Sequence, residues 1–169
     1  MAVTLEVDEV GKDFLIPVIA GVSFRAGGGD FVCLLGPNGC GKTTLLRIIG
    51  GLEAPTRGSV RLGGEPVVGS DRHGRTGARG RVRVGFVFQE DRLLPWMTVR
   101  DNVELVLTPR GLGARERREV ANRYLSLVGL AGFEEYYPGR VSGGMRQRTA
   151  IARALAVEPD VLQIGRAHV

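Results

Sequence analysis

Lysine is nearly missing from this chain: of 23 basic residues only Lys12 and Lys42 are lysines, and the other 21 are arginines. These arginines are scattered among acidic residues, so the net charge of +5 reads mostly as a compositional bias. One basic cluster stands out, Arg72, Arg75, Arg79, Arg81 and Arg83 among glycines. No aromatic platform interleaves it, so a solvated loop and no nucleic-acid partner are expected. Cysteine is scarce too. Cys33 and Cys40 have neither metal-type nor redox-type spacing, which argues against a disulfide framework and for a reducing compartment. No run of about 18 apolar residues occurs, so no membrane-spanning helix is expected. The start, Met1-Ala2-Val3-Thr4-Leu5-Glu6, lacks the basic-then-apolar order of a secretory signal, which points to the cytoplasm. At 169 residues the chain suits one domain with a sizeable core.

Against these absences stands an abundance of glycine, 26 residues. Gly36-Pro37-Asn38-Gly39-Cys40-Gly41-Lys42-Thr43-Thr44 matches the phosphate-cradling pattern G-x-x-x-x-G-K-[ST] at every fixed position. Glycines let the backbone curl into a nest of N–H groups, and the N-terminus of a following helix adds partial positive charge. Lys42 is placed to reach β- and γ-phosphates, and the Thr43 hydroxyl to ligate Mg²⁺. The apolar run Phe31-Val32-Cys33-Leu34-Leu35 predicts a buried strand before the loop, and Thr44 to Ile49 a helix after it.

Around this loop, Val3, Leu5 and Val7 alternate with polar residues and predict a strand, with an antiparallel neighbour over Val18 to Phe24. Phe14 falls in the turn between them. It offers a π-face to a base, or packs within the fold. Ser59 to Leu62 predicts a short strand, and Val82 to Phe88 a core strand ending at Gln89. An amide at a strand's C-terminal end is well placed for Mg²⁺ or an attacking water. Helices are predicted from Thr98 to about Leu107 and from Ala114 to Val128, the second with Val120, Tyr124, Leu127 and Val128 on one face. Val141-Ser142-Gly143-Gly144 opens a third, with Ser142 near its N-cap, stopping at Glu158-Pro159. A helix N-terminus with two glycines and a hydroxyl makes a second anion site.

A phosphate loop, a strand-end glutamine and Ser142-Gly143-Gly144-Met145-Arg146-Gln147-Arg148 opening a helix, in this order, resemble the ATPase subunit of ABC transporters. The resemblance covers residues 1–162 and its most diagnostic part is the Ser-Gly-Gly element. It implies an α/β fold, a P-loop NTPase with a RecA-like core, an antiparallel β subdomain and an inserted helical subdomain over about residues 90–140. It also implies ATP and Mg²⁺ as cofactors, and hydrolysis of ATP to ADP and phosphate. Ser142, Gly143, Gly144 and Gln147 would act on ATP held by a second subunit, so a homodimer or a paired ATPase subunit is implied. The further partners implied are a transmembrane permease and, indirectly, a periplasmic solute-binding protein, with the chain peripheral on the inner face of the membrane. Leu93-Leu94-Pro95-Trp96 after Gln89 is similar to importers of nitrate, aliphatic sulfonates and taurine. There this segment lines the groove for a coupling helix of the membrane subunit. Trp96 suits that contact or a core position. Polyamine, sulfate and iron importers share much of the pattern, and Val141 stands where the family usually has Leu.

The pattern breaks after Leu162. The family continues with apolar residues and then Asp-Glu, which holds Mg²⁺ through water and polarises the attacking water; here Gly165 and Arg166 stand in those places. Neither can take a proton from water. Residues 163–169 are encodable by a common sequencing-adapter sequence, so a non-native tail is expected there. With it come a fold incomplete at the C-terminus and a chain that binds but does not hydrolyse ATP. Two alternatives are an ABC-type ATPase of DNA repair or translation, and a non-catalytic nucleotide-binding protein in which Gly165 and Arg166 are genuine.

Overall fold

Residues 3–67 and 83–165 are described by a computed structural model. They belong to two compact units, residues 1–82 and 83–169. Most of the arginine-rich run, residues 72–82, lies outside the described residues, as does Arg166.

The first unit is built on an antiparallel sheet. β1 (Leu5–Asp13) and β2 (Pro17–Ala26) form a hairpin, β3 (Arg57–Leu62) pairs with the other edge of β1, and β4 (Glu65–Pro66) extends β3, giving the order β2-β1-β3-β4. The register sets Val7 opposite Phe24 on one side and Val60 on the other. Strict alternation would continue inward at Glu9. The register instead shifts between Val7 and Val10, with Glu9 at φ 46°, and Val10 takes the buried place. This is a bulge, which keeps a carboxylate out of the core. The outward Glu9 carboxylate accepts from the Ser23 hydroxyl at 3.0 Å. α1 (Lys42–Ile49) buries Leu45, Ile48 and Ile49, and the Gly50-Gly51 pair ends it.

The expected strand over residues 31–35 is not formed. Phe31 is 91% and Leu35 87% exposed, and Cys33 is exposed rather than buried. An apolar run becomes a strand only when its N–H and C=O rows meet a neighbour, and no strand pairs with it among the described residues.

The second unit sets helices against a parallel pair. β5 (Val84–Val87) and β6 (Val161–Ile164) pair in register, Val84 with Val161 through Val87 with Ile164. Between them in sequence come α2 (Val99–Glu104), α3 (Ala114–Leu127) and α4 (Gly143–Ala156). Val99, Val103, Leu107, Ala121, Leu125 and Leu130 form their core with Ala152 and Ala156 of α4. Small residues let α4 sit close on its other side too: a side chain at Gly85 would meet the Ala154 carbonyl at 2.7 Å.

Three details depart from expectation. The core strand ends at Val87, so Gln89 is an exposed residue two positions past the strand, not its last. The helix after Thr98 is α-helical only to Glu104 and tightens to 3-10 over Leu105–Arg110, because Pro109 has no N–H for the next α-helical bond. On α3 the buried positions are Ala121 and Leu125, flanked by Tyr124 and Val128, while Leu127 is 70% exposed. At about 100° per residue Leu127 lies some 120° round from Ala121.

Candidate functional site

The residues singled out in the sequence fall into two groups, one in each unit. In the first, the phosphate loop runs into α1 through Gly41 at φ 92°. A side chain there would meet the Val18 carbonyl and Ile19 of β2 at 3.0 Å, so both conformation and space demand glycine. Gly41 also offers no capping side chain, and the first turn of α1 holds no acidic residue. The first N–H groups of the helix are therefore kept for an outside acceptor.

Lys42 folds back across the loop. Its Nζ donates to the carbonyls of Gly36 and Pro37, each at 2.7 Å, and lies 3.8 Å from the Cys40 Sγ. An ammonium resting on carbonyls can exchange them for a phosphate, which offers it full negative charge instead of dipoles. Thr43 is exposed beside it, and Thr44 is half-buried. Phe14 sits at the hairpin tip, exposed, with the Lys12 Nζ 4.9 Å from its ring centroid. Its face already attracts a cation there, and it takes no part in the core.

In the second unit Ser142 is the N-cap of α4, its hydroxyl accepting from the Met145 N–H at 3.2 Å. Gly143 and Gly144 are exposed, and a side chain at Gly144 would meet nothing within 4 Å. The chain's own packing does not require glycine at 144; close approach by something outside it would. Gln147 is half-buried on the same helix. Gln89 is exposed, and the following segment is held to α4: Arg146 Nε donates to Asp91 Oδ2 at 3.0 Å. Asp91 and Arg146 are 55 residues apart, and no local pattern in the sequence marks them as partners. Trp96 is 72% exposed, which removes the core alternative.

At the end of β6, the Gly165 N–H donates to the Val87 carbonyl at 2.9 Å. Among the described residues a side chain at 165 would touch only that carbonyl, at an ordinary 3.8 Å, so a larger residue fits there. Among the described residues no group of three or more His, Cys, Asp or Glu side chains could hold a metal, and no helix is long and apolar enough to cross a membrane.

A phosphate loop running into a helix, in a mixed α/β chain, marks a P-loop NTPase fold. A solved dimeric ATP-binding cassette, in a post-hydrolysis state bound to ADP and phosphate, superimposes with a TM-score of 0.82 at 36% identity, covering 95% of this chain and 72% of that one. The ABC transporter family matches residues 19–164, and the chain belongs to that family. It is 44% identical over 155 residues to the nitrate import ATP-binding protein NrtD of Synechocystis, covering 90% of this chain and 54% of that protein. It is 46% identical over 145 residues to the aliphatic sulfonates import ATP-binding protein SsuB 2 of Burkholderia lata, covering 86% and 48%. The chain thus spans about half the length of the curated relatives it matches.

Proposed function

We propose that this chain is the nucleotide-binding part of an ABC importer subunit that couples ATP binding and hydrolysis to uptake of a small solute of the nitrate, sulfonate or taurine kind. The observation that carries the reading is Lys42 parked on the Gly36 and Pro37 carbonyls at the uncapped start of α1. ATP is the fitting ligand. Gly36, Pro37, Asn38, Gly39, Cys40 and Gly41 supply backbone around its phosphates, Lys42 neutralises the terminal pair, and Thr43 and Thr44 offer hydroxyls at the helix start. Phe14 supplies a face for the base.

Mg²⁺ takes hard oxygen ligands and keeps several waters, and the Thr43 hydroxyl and the Gln89 amide oxygen are the protein groups that would hold it. When bound, the ion would neutralise charge on the β- and γ-phosphates. Ser142, Gly143, Gly144 and Gln147 serve ATP on a second subunit, which makes a homodimer or paired ATPase subunit part of the mechanism. A transmembrane permease docks the helical subdomain, about residues 90–140, near Trp96, and a periplasmic solute-binding protein acts through the permease. The assembly is peripheral on the cytoplasmic face of the membrane.

Residues 163–169 are a non-native tail in this reading, following the native part, 1–162. Gln163 supports it: the side chain is 5% exposed on β6, and neither Oε1 nor Nε2 has a partner among the described residues. An apolar residue satisfies that place, and the room at 165 admits a carboxylate. Without that carboxylate the chain binds ATP but does not turn it over. A steady-state phosphate-release assay on the purified chain tests this, with no release above background expected. Release abolished by Lys42→Ala would contradict it. Co-purification with a membrane permease separates transport from DNA repair or translation, which a salt-dependent shift of duplex DNA would favour instead.

A further inference from the structure

Lys12 is the one lysine that the phosphate loop does not use, in a chain whose other basic residues, Lys42 aside, are 21 arginines. It lies on β1 opposite Ile19 of β2, and Ile19 borders the space beside Gly41 at the end of the phosphate loop. The Lys12 side chain is only 13% exposed. Its Nζ lies 2.6 Å from Glu53 Oε1, donates to the Ala54 carbonyl at 2.8 Å and sits 4.9 Å from the Phe14 ring centroid. An ammonium is compact and its three donors rotate to suit such a set, whereas a guanidinium is a rigid planar fork. The segment after α1 also fastens this stretch of β1 by its backbone. The Thr56 N–H donates to the Gly11 carbonyl at 2.8 Å, the Asp13 N–H donates to the Thr56 hydroxyl at 3.0 Å, and Arg57 Nη1 donates to Asp13 Oδ2 at 3.0 Å. Beyond this clasp Phe14, Leu15 and Ile16 are all exposed at the hairpin tip. A ring on an exposed tip must be ordered before it can serve as a platform, and ordering it in advance lowers the cost of binding. A fixed cation over one face does that.

We propose that Lys12 is a positioning residue for the nucleotide: held by Glu53 and Ala54, its ammonium occupies one face of the Phe14 ring and leaves the other face set for a planar base. The inference rests on the proposed role of Phe14 as the platform for the base, and it names what makes that platform rigid. Lys12 acts through the ring and does not touch the nucleotide. The two lysines then divide the ligand between them. Lys42 answers to the phosphates, and Lys12, through Phe14, to the base. Every residue in this arrangement belongs to the first unit, together with the phosphate loop.

Calorimetric titration of the 169-residue chain with MgATP and with magnesium tripolyphosphate, which carries the phosphates but no base, tests this. The parent binds ATP more tightly than tripolyphosphate. Lys12→Met weakens ATP binding about fivefold and leaves tripolyphosphate binding within about twofold of the parent. Phe14→Ala weakens ATP binding at least as much, and adding Lys12→Met to it changes ATP affinity by less than about twofold, because the ring through which Lys12 acts is gone. Lys12→Met strands the Glu53 carboxylate. The Lys12→Met, Glu53→Gln pair strands none, is expected to show the same selective loss, and serves where the single variant folds poorly. A loss shared equally by ATP and tripolyphosphate, or one that persists in full on the Phe14→Ala background, shows a merely structural role and overturns the inference. Unchanged ATP affinity in Lys12→Met overturns it too. Unchanged ATP affinity in Phe14→Ala instead overturns the reading of Phe14 as the platform for the base, and this inference with it.

Discussion

Glu158 holds a left-handed backbone, φ 50°, just past the end of α4, where a helix more often places glycine. Arg83, Arg110 and Arg123 approach its carboxylate at 3.6, 3.2 and 3.3 Å, which explains why a charged residue carries that strain. The hydrogen bond from Arg110, more than any other cause, holds the carboxyl below the usual glutamate value of 4.5. A depressed folded-state pKa stabilises fully above the unfolded value, and the effect fades as pH falls through the folded one. The group is half-exposed, so the contribution is small. Glu158→Gln is expected to cost under about 1 kcal/mol at neutral pH. The gap between variant and parent should close as pH falls below 4.5, read from urea midpoints. At Gln163 the expectation runs the other way. Gln163→Leu removes two unpartnered buried polar atoms and should raise stability by about 1–3 kcal/mol, read from the same urea curves. A lower stability would show that the amide is satisfied in solution.

At the scale of elements, the start of α2 organises the Leu-Pro-Trp segment, of which Pro95 and Trp96 are exposed. Thr98 and Asp101 form a reciprocal capping box. Asn102, fully buried one position later, accepts from the Leu94 N–H at 2.7 Å and donates to the carbonyls of Leu94, Met97 and Thr98 at 3.1, 3.2 and 2.9 Å. One side chain thus satisfies one N–H and three carbonyls of the backbone around the loop, while Trp96 stays exposed. Thr98→Ala should cost about 1 kcal/mol through loss of the cap. Asn102→Leu strands several partners at once and should cost about 2–3 kcal/mol. Trp96 is the only tryptophan, so its fluorescence anisotropy should fall in Asn102→Leu as the loop loosens. Unchanged anisotropy would mean that other contacts hold the loop.

Across the whole molecule, what could be read from the sequence was what is local. The phosphate loop and the Ser142 cap are short runs readable from adjacent residues, and a helix follows the loop and Ser142 caps α4 as expected. The hairpin before the loop was legible from alternation, apart from the bulge at Glu9, which depends on two partner strands. Gln89 was placed two residues too close to its strand because the end of β5 is set by pairing with β6, more than 70 residues later. Residues 31–35 were misread for a related reason, since an apolar run without a neighbouring strand forms no ladder, and none pairs with it among the described residues. The Asp91 contacts with Arg146 and Arg153 have no local signature at all. The central claim is that the loop ahead of α1 binds a nucleoside triphosphate through Lys42, and equilibrium titration of the chain with MgATP, beside Lys42→Ala, tests it most directly. Saturable binding is expected in the parent, weakened at least about a hundredfold in the variant, as loss of a charge-assisted phosphate contact of about 3 kcal/mol would give. Absence of binding, or equal affinity in the two proteins, would contradict it.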